Sequence, residues 1–123
     1  MAINRDNYTT ATSALTVTAT AGGASADVVY TCIPNHDATI DFLHVSNGSS
    51  STQNITLQWY HAETNTYHAI VNDKAVAGKD VYNLVTSDRI HLHAGDKIVA
   101  FSSGSLIDVF TSVREYYNPS RGN

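Results

Sequence analysis

Six histidines in 123 residues are the side chains most able to do chemistry in this sequence, and that chemistry would be metal binding. His91 and His93 form an H-x-H pair, and the period of two along a strand puts both imidazoles on one face. Cupin metal sites use this spacing, with a Glu shortly afterwards and a remote His completing the ligand set. Here Ala94-Gly95-Asp96-Lys97 follows, without a Glu, and no Pro-x-Gly-x-x-His motif exists. The pair flanks Leu92, which the alternation assigns to the core, so His91 and His93 are expected to face water or a neighbouring subunit. His36, His44, His61 and His68 share no ligand spacing. His44, between Leu43 and Val45, suits a hydrogen-bonded core or interface position, and His61 and His68 flank a hairpin at 62–66 where they can pair across strands.

Other chemistry is harder to assemble. No serine lies in a Gly-x-Ser-x-Gly elbow. Glu63 and Glu115 are the only glutamates, placed in a hairpin and a terminal strand where nothing tunes them as an acid–base pair. No glycine-rich phosphate loop opens a helix, because no helical pattern exists. The expectation is no catalytic residue, no cofactor and no metal. Cys32, the only cysteine, sits within Val28-Val29-Tyr30-Thr31-Cys32-Ile33 and reads as a small buried hydrophobe.

The elements that would position these groups are strands. Ile55, Leu57 and Trp59 alternate with Thr56, Gln58 and Tyr60; Ile90 and Leu92 with His91 and His93; Ile107, Val109, Thr111 and Val113 repeat the pattern. Strands are expected at about 14–20, 26–33, 38–46, 53–61, 65–72, 80–86, 88–93, 97–102 and 106–116. Gly22-Gly23 and Pro34-Asn35-His36-Asp37 supply turns, Asn47 to Ser51 a loop, and Ala77-Gly78-Lys79 and Ala94-Gly95-Asp96 tight hairpins. Val17, Val29, Ile40, Leu57, Trp59, Leu92, Ile98 and Val109 fall on the apolar phase and should be buried. Phe42-Leu43 breaks the alternation, through burial on both faces or through a bulge, and burial on both faces is the expectation. The fold class is therefore an all-β antiparallel sandwich, jelly-roll or immunoglobulin-like. It should comprise an N-terminal arm (1–13), a sandwich domain (14–116) and a C-terminal tail (117–123).

Composition narrows the partners. The formal charge of −4 is spread through loops, and the seven Lys and Arg residues do not cluster, so the basic footprint of a nucleic-acid binder is missing. No stretch approaches the roughly 20 apolar residues of a membrane helix, and MAINRDNYTT lacks a signal peptide's apolar segment. Folding in a reducing cytosol is the expectation, which makes the sequons at Asn47 and Asn54 chance matches.

Aromatic residues point to contact surfaces. Trp59-Tyr60 and Tyr116-Tyr117 are adjacent pairs, so one ring of each faces inward and the other outward. Outward tyrosines are favoured at protein interfaces and also serve as sugar platforms. The polar arm and the tail broken at Pro119 carry Ile3, Tyr8 and Tyr117 as anchors for a neighbour. The expected assembly interface is Ile3, Tyr8, Tyr60, His91, His93 and Tyr117.

The order of elements resembles a known family. A strand Ile40-Asp41-Phe42-Leu43-His44-Val45-Ser46-Asn47 precedes a Ser-rich loop and Ile55-Thr56-Leu57-Gln58-Trp59-Tyr60. A hairpin, an Ala77-Gly78 turn and Arg89-Ile90-His91-Leu92-His93-Ala94-Gly95-Asp96-Lys97-Ile98-Val99-Ala100 follow. Over about residues 26–116 this is similar to the small β-sandwich structural proteins of tailed-bacteriophage virions. The resemblance implies a non-enzymatic, symmetric assembly protein, made in the host cytoplasm and resident in the virion. Its implied partners are the major capsid protein or neighbouring virion proteins and its own copies, as a trimer or higher homo-oligomer, with neither nucleic acid nor membrane. A capsid decoration or cement protein is the first expectation, a neck, collar or tail component the alternative, and a carbohydrate-binding module for host attachment a further one.

Overall fold

The structure, a computed structural model, describes residues 8–84, 90–104 and 106–119. Among these, nine strands and one short 3-10 turn follow in order: β1 (Tyr8–Val17), the turn (Gly23–Ser25), β2 (Asp27–Thr31), β3 (His36–Asn47), β4 (Gln53–His61), β5 (Thr66–Val76), β6 (Val81–Asn83), β7 (Ile90–His93), β8 (Lys97–Ser102) and β9 (Ile107–Tyr117). They form two antiparallel sheets. The first runs β1-β9-β3-β6, with β7 also paired to β3, and the second runs β2-β8-β4-β5. If β6 and β7 are taken as one interrupted strand, this is the eight-strand order of a jelly roll, which decides between the two sandwich types expected.

The core is the apolar phase of the alternation. Ile55, Leu57, Leu92, Ile98, Ile107 and Val109 are completely enclosed between the sheets. Val17, Val29 and Ile40 join them as expected, but Trp59 does not: it is half-buried, packed against the rim of the cluster. Its inward direction was legible; its place at the last turn of the sandwich was not.

Three other expectations are corrected. The first strand begins at Tyr8, so residues 8–13 are ladder, not arm, pairing from Tyr8↔Tyr116 to Ser13↔Thr111. The Thr-Ala-Ser composition hid the period because β1 is an edge strand whose inward positions at Ala11 and Ser13 are small and half-exposed. Residues 120–123 and Ile3 lie outside the described residues. At Phe42-Leu43 the bulge is the answer. The β3–β9 register shifts between Ile40 and Phe42, leaving Leu43 at 1% exposure and Phe42 at 43%. Asp41, beside the shift, holds Arg114 through a two-pronged ion pair of 2.7 and 2.8 Å.

The third correction concerns turns. Ala77-Gly78-Lys79 joins β5 to β6 and Ala94-Gly95-Asp96 joins β7 to β8, so both cross from one sheet to the other and neither closes a hairpin. Short turn chemistry looks the same in both cases, since a chain reversing within a sheet or between sheets needs the same positive φ, here at Lys79 (60°) and Gly95 (87°). The β4–β5 hairpin is as expected, with Asn65 at φ 55° and its amide on the Ala62 carbonyl at 3.3 Å.

Candidate functional site

One end of the sandwich gathers most of the reactive side chains. β1 starts there, β9 and β4 finish there, and the β2–β3 and β7–β8 crossovers close it. The ladder fixes a row across the first sheet: Tyr8 opposite Tyr116, Tyr116 opposite Asp37, Asp37 opposite His93. His93 Nδ1 lies 3.2 Å from Asp37 Oδ1, and Asn118 donates to the other Asp37 oxygen at 2.9 Å. The next row carries His91, which shares a hydrogen bond with Thr39 at 3.1 Å. Both H-x-H imidazoles face solvent on either side of a fully buried Leu92, as the alternation required.

Asp96, in the β7–β8 crossover, is the buried hub of this end at 1% exposure. It accepts the backbone amides of Ala62 at 2.9 Å and His93 at 3.1 Å, and the Trp59 indole at 3.4 Å. His61 Nδ1 approaches it to 3.6 Å, too far for a good hydrogen bond, and is buried with no nearer partner among the described residues. The Trp59 ring lies against His61 at 4.7 Å and His68 at 5.5 Å. The expected cross-strand pairing of these two histidines is not formed: Thr66 lies opposite His61 and Trp59 opposite His68, so each imidazole meets the indole and not the other. Sequence reasoning passed Asp96 over as a turn acid; its signal was the Gly95-Asp96 step closing a crossover whose amides need an acceptor.

A second network, part-buried at Tyr30, links the two sheets. The Tyr30 hydroxyl donates to Glu115, which also receives the Thr9 hydroxyl at 3.5 Å. Burial first, and then the Glu115 carboxylate, raises the Tyr30 phenol far above its ordinary value. Burial also pushes the Cys32 thiol up to about 12, with Asp37, Glu115 and Asp96 adding to the effect. A thiol so enclosed, at 1% exposure, is no nucleophile. Among the described residues no three His, Cys, Asp or Glu side chains group as metal ligands.

The expected interface residues divide. Tyr8 (45% exposed), His91 and His93 share the outer side of the first sheet, with the Arg114 guanidinium 5.6 Å over the Tyr8 ring. Tyr117 is 61% exposed at the end of β9, edge-on to His36. Tyr60 is on the other sheet, its ring 4.8 Å from Tyr67, its hydroxyl on Asn65, and Lys97 above it. The sequon at Asn47 is structural: the side chain is 1% exposed and its amide donates to the carbonyls of Ser51 and Val76 at 2.9 Å.

The sequence did not announce the apolar groove on the outside of the first sheet. Phe42 and Phe110 stand exposed there, beside Thr12, Ala14 and Ser112, around a groove of about 330 Å³. His44 stacks on Phe42 with rings 5.6 Å apart and only 9° from parallel, and is held by Asn83. The bulge beside Asp41 makes this face, because it sends Phe42 outward.

No family model matches the chain, and no curated protein matches it in sequence. Three solved structures are similar at a distance. A pentameric capsid protein from metagenomic phage sequences is 17% identical, covering 99% of this chain and 70% of its own, with a TM-score of 0.43. The globular domain of a zebrafish complement 1qA protein is 13% identical over 89% of this chain and 96% of its own, at 0.38. The CBM22-1–GH10 modules of a Clostridium thermocellum xylanase, complexed with xylohexaose, are 9% identical over 87% of this chain and 26% of their own, at 0.23. None of the three reaches a TM-score of 0.5, so the jelly roll is assigned from the chain's own strand order.

Proposed function

We propose that this chain is a non-enzymatic structural protein of a tailed-phage virion, held in the particle by neighbouring virion proteins and by copies of itself. The observation that carries this reading is the outer face of the first sheet, where Phe42 and Phe110 stand 43% and 39% exposed around an uncharged groove. Exposed aromatics clustered on a rigid sheet are what a protein interface needs. The jelly roll is an architecture that capsid proteins share with lectins and cupins, so the fold supports the reading by association only. The sequence resemblance over residues 26–116 favours the phage virion among these hosts. Capsid decoration against the major capsid protein is the first placement, and neck, collar or tail the second.

Quantitative mass spectrometry of purified virions tests this directly. Hundreds of copies per particle support decoration and about six to twelve support a neck or tail position; absence from the virion overturns the reading. The double variant Phe42→Ser with Phe110→Ser should fold with nearly wild-type stability yet fail to incorporate. A glycan-binding reading draws on the Tyr60–Tyr67 pair with Asn65 and Lys97 on the second sheet. Saturable binding of host polysaccharide, lost in Tyr60→Ala, would favour it.

A further inference from the structure

We infer that two copies of this protein pair through the free edge of β1, antiparallel and across a two-fold axis, to make one continuous sheet from both first sheets. β1 is ten residues long, Tyr8-Thr-Thr-Ala-Thr-Ser-Ala-Leu-Thr-Val17, and bonds β9 on one side. Among the described residues no strand pairs with its other side. Because antiparallel bonds alternate between the two sides, about five amides and five carbonyls point away from β9.

The other edges are guarded in the ways that proteins use against unwanted pairing. β5 is as long, at 11 residues, but carries Asp73 and Lys74, has Asp73 at φ 53°, and is irregular against β4. β2 has five residues and a register shift between Val28 and Tyr30. β6 and β7 have three and four. β1 has no charge, no proline, no glycine and no register shift against β9. Among the described residues, the hydrogen bond from β1 to the neighbouring β2 edge is the one from the Ser13 hydroxyl to the Val29 carbonyl at 2.9 Å, which leaves the β1 backbone unused.

The partner that fits is a second β1. Residues facing each other across an antiparallel pair point to the same side of the sheet. A two-fold through Thr12 sets Thr12 opposite Thr12, even residues opposite even and odd opposite odd, so the outer faces stay outer and the core faces stay inner. No like charges meet, because the strand has none. The same operation brings the grooves bordered by Thr12 and Ala14 beside one another, so that Phe42 and Phe110 of both copies flank the seam. Such pairing joins both copies through main-chain bonds while their aromatic faces stay side by side. The contact does not depend on a role in the virion, and the two can fail separately.

Sedimentation equilibrium of the full chain over about 1–200 μM tests the pairing. A dimer is expected, and Thr12→Lys, which sets two ammonium groups near each other at the axis, should weaken it at least about tenfold while leaving the circular dichroism spectrum unchanged. Thr12→Glu should do the same, and an equimolar mixture of the Lys and Glu variants should recover the dimer. Thr12→Cys should form a disulfide-linked dimer on mild oxidation, while Asn72→Cys on the β5 edge should not. A protein that is monomeric throughout, or one whose self-association ignores Thr12→Lys and whose Thr12→Cys form does not cross-link, overturns the inference. Should a Thr12 variant misfold, the cross-linking arm decides. A virion protein without the dimer would refute this pairing alone, and a dimer absent from virions would refute the virion reading alone.

Discussion

The Trp59 indole donates to Asp96 over 3.4 Å, and the accepting carboxylate is 1% exposed. A half-buried ring at the rim of the core is thereby fixed to the β7–β8 crossover, one of those that join the two sheets. The same carboxylate holds the first residue after β4 and the last of β7, Ala62 and His93. Sequence-distant segments are locked by a single side chain, and that is where this end should be most sensitive to substitution.

Asp96→Ala is expected to destabilise the fold by about 1–3 kcal/mol, since it leaves two part-buried amides and an indole N–H without their acceptor. Asp96→Asn retains one acceptor oxygen and should lose about half as much. Urea denaturation of both variants checks the ratio; a loss under about 0.5 kcal/mol for the alanine would remove Asp96 from its place as hub.

Trp59→Ala should cost roughly 2–3 kcal/mol, below the range of about 3–5 for a completely buried aromatic, because part of the ring already meets water. Trp59→Phe keeps the stacking against His61 and His68 but not the bond to Asp96, and should fall between. Thermal melts of the two variants separate packing from the hydrogen bond.

Alkali should unfold this protein from within. Tyr30 and Cys32 both have folded pKa values raised above their ordinary 10.0 and 9.0. The folded state therefore holds their protons when the unfolded chain gives them up, so stability is complete below about pH 9 and declines as pH rises. Calorimetry between pH 8 and 11 should show a falling Tm, with a shallower fall in Tyr30→Phe. A Tm that stays level across this range would contradict the burial of both groups.

Gly78→Ala tests the β5–β6 crossover. A Cβ there would lie 2.4 Å from both the carbonyl carbon and the oxygen of Ser50, backbone atoms that cannot swing aside. The loss should be on the order of 2–3 kcal/mol, well beyond the usual effect of adding a methyl group at a surface turn. An unchanged denaturation midpoint would mean that the Ser50 loop yields freely.

Much of this architecture was legible because alternation is a local signal. Ile55-Leu57-Trp59 and Ile107-Val109-Thr111-Val113 declare their faces without reference to any partner. The strand count and the histidine pair around Leu92 followed from the same rule. What local pattern could not carry was pairing. The Ala77-Gly78 and Ala94-Gly95 turns look like hairpin turns until it is known that their flanking strands belong to different sheets. The start of β1 was hidden for a related reason: an edge strand of Thr, Ala and Ser needs no large inward side chains, so its period is faint. The Phe42 face was missed because Asp41 and Arg114, far apart in sequence, mark the place where register shifts.

The position of β8 and β9 in the two sheets also has a kinetic consequence. β8 lies between β2 and β4, and β9 between β1 and β3, so two strands synthesised after the other seven are each inserted between strands made much earlier. Until they emerge, β1 and β3 have no common neighbour, and the first sheet exists only as separate pieces. Loop-closure entropy must be met before any of those long-range bonds form, which places this chain among slow, late-folding β proteins. A nascent chain stalled before Ile107 would present β1 bare on both edges, and in a crowded cell that interval is when it most needs a chaperone.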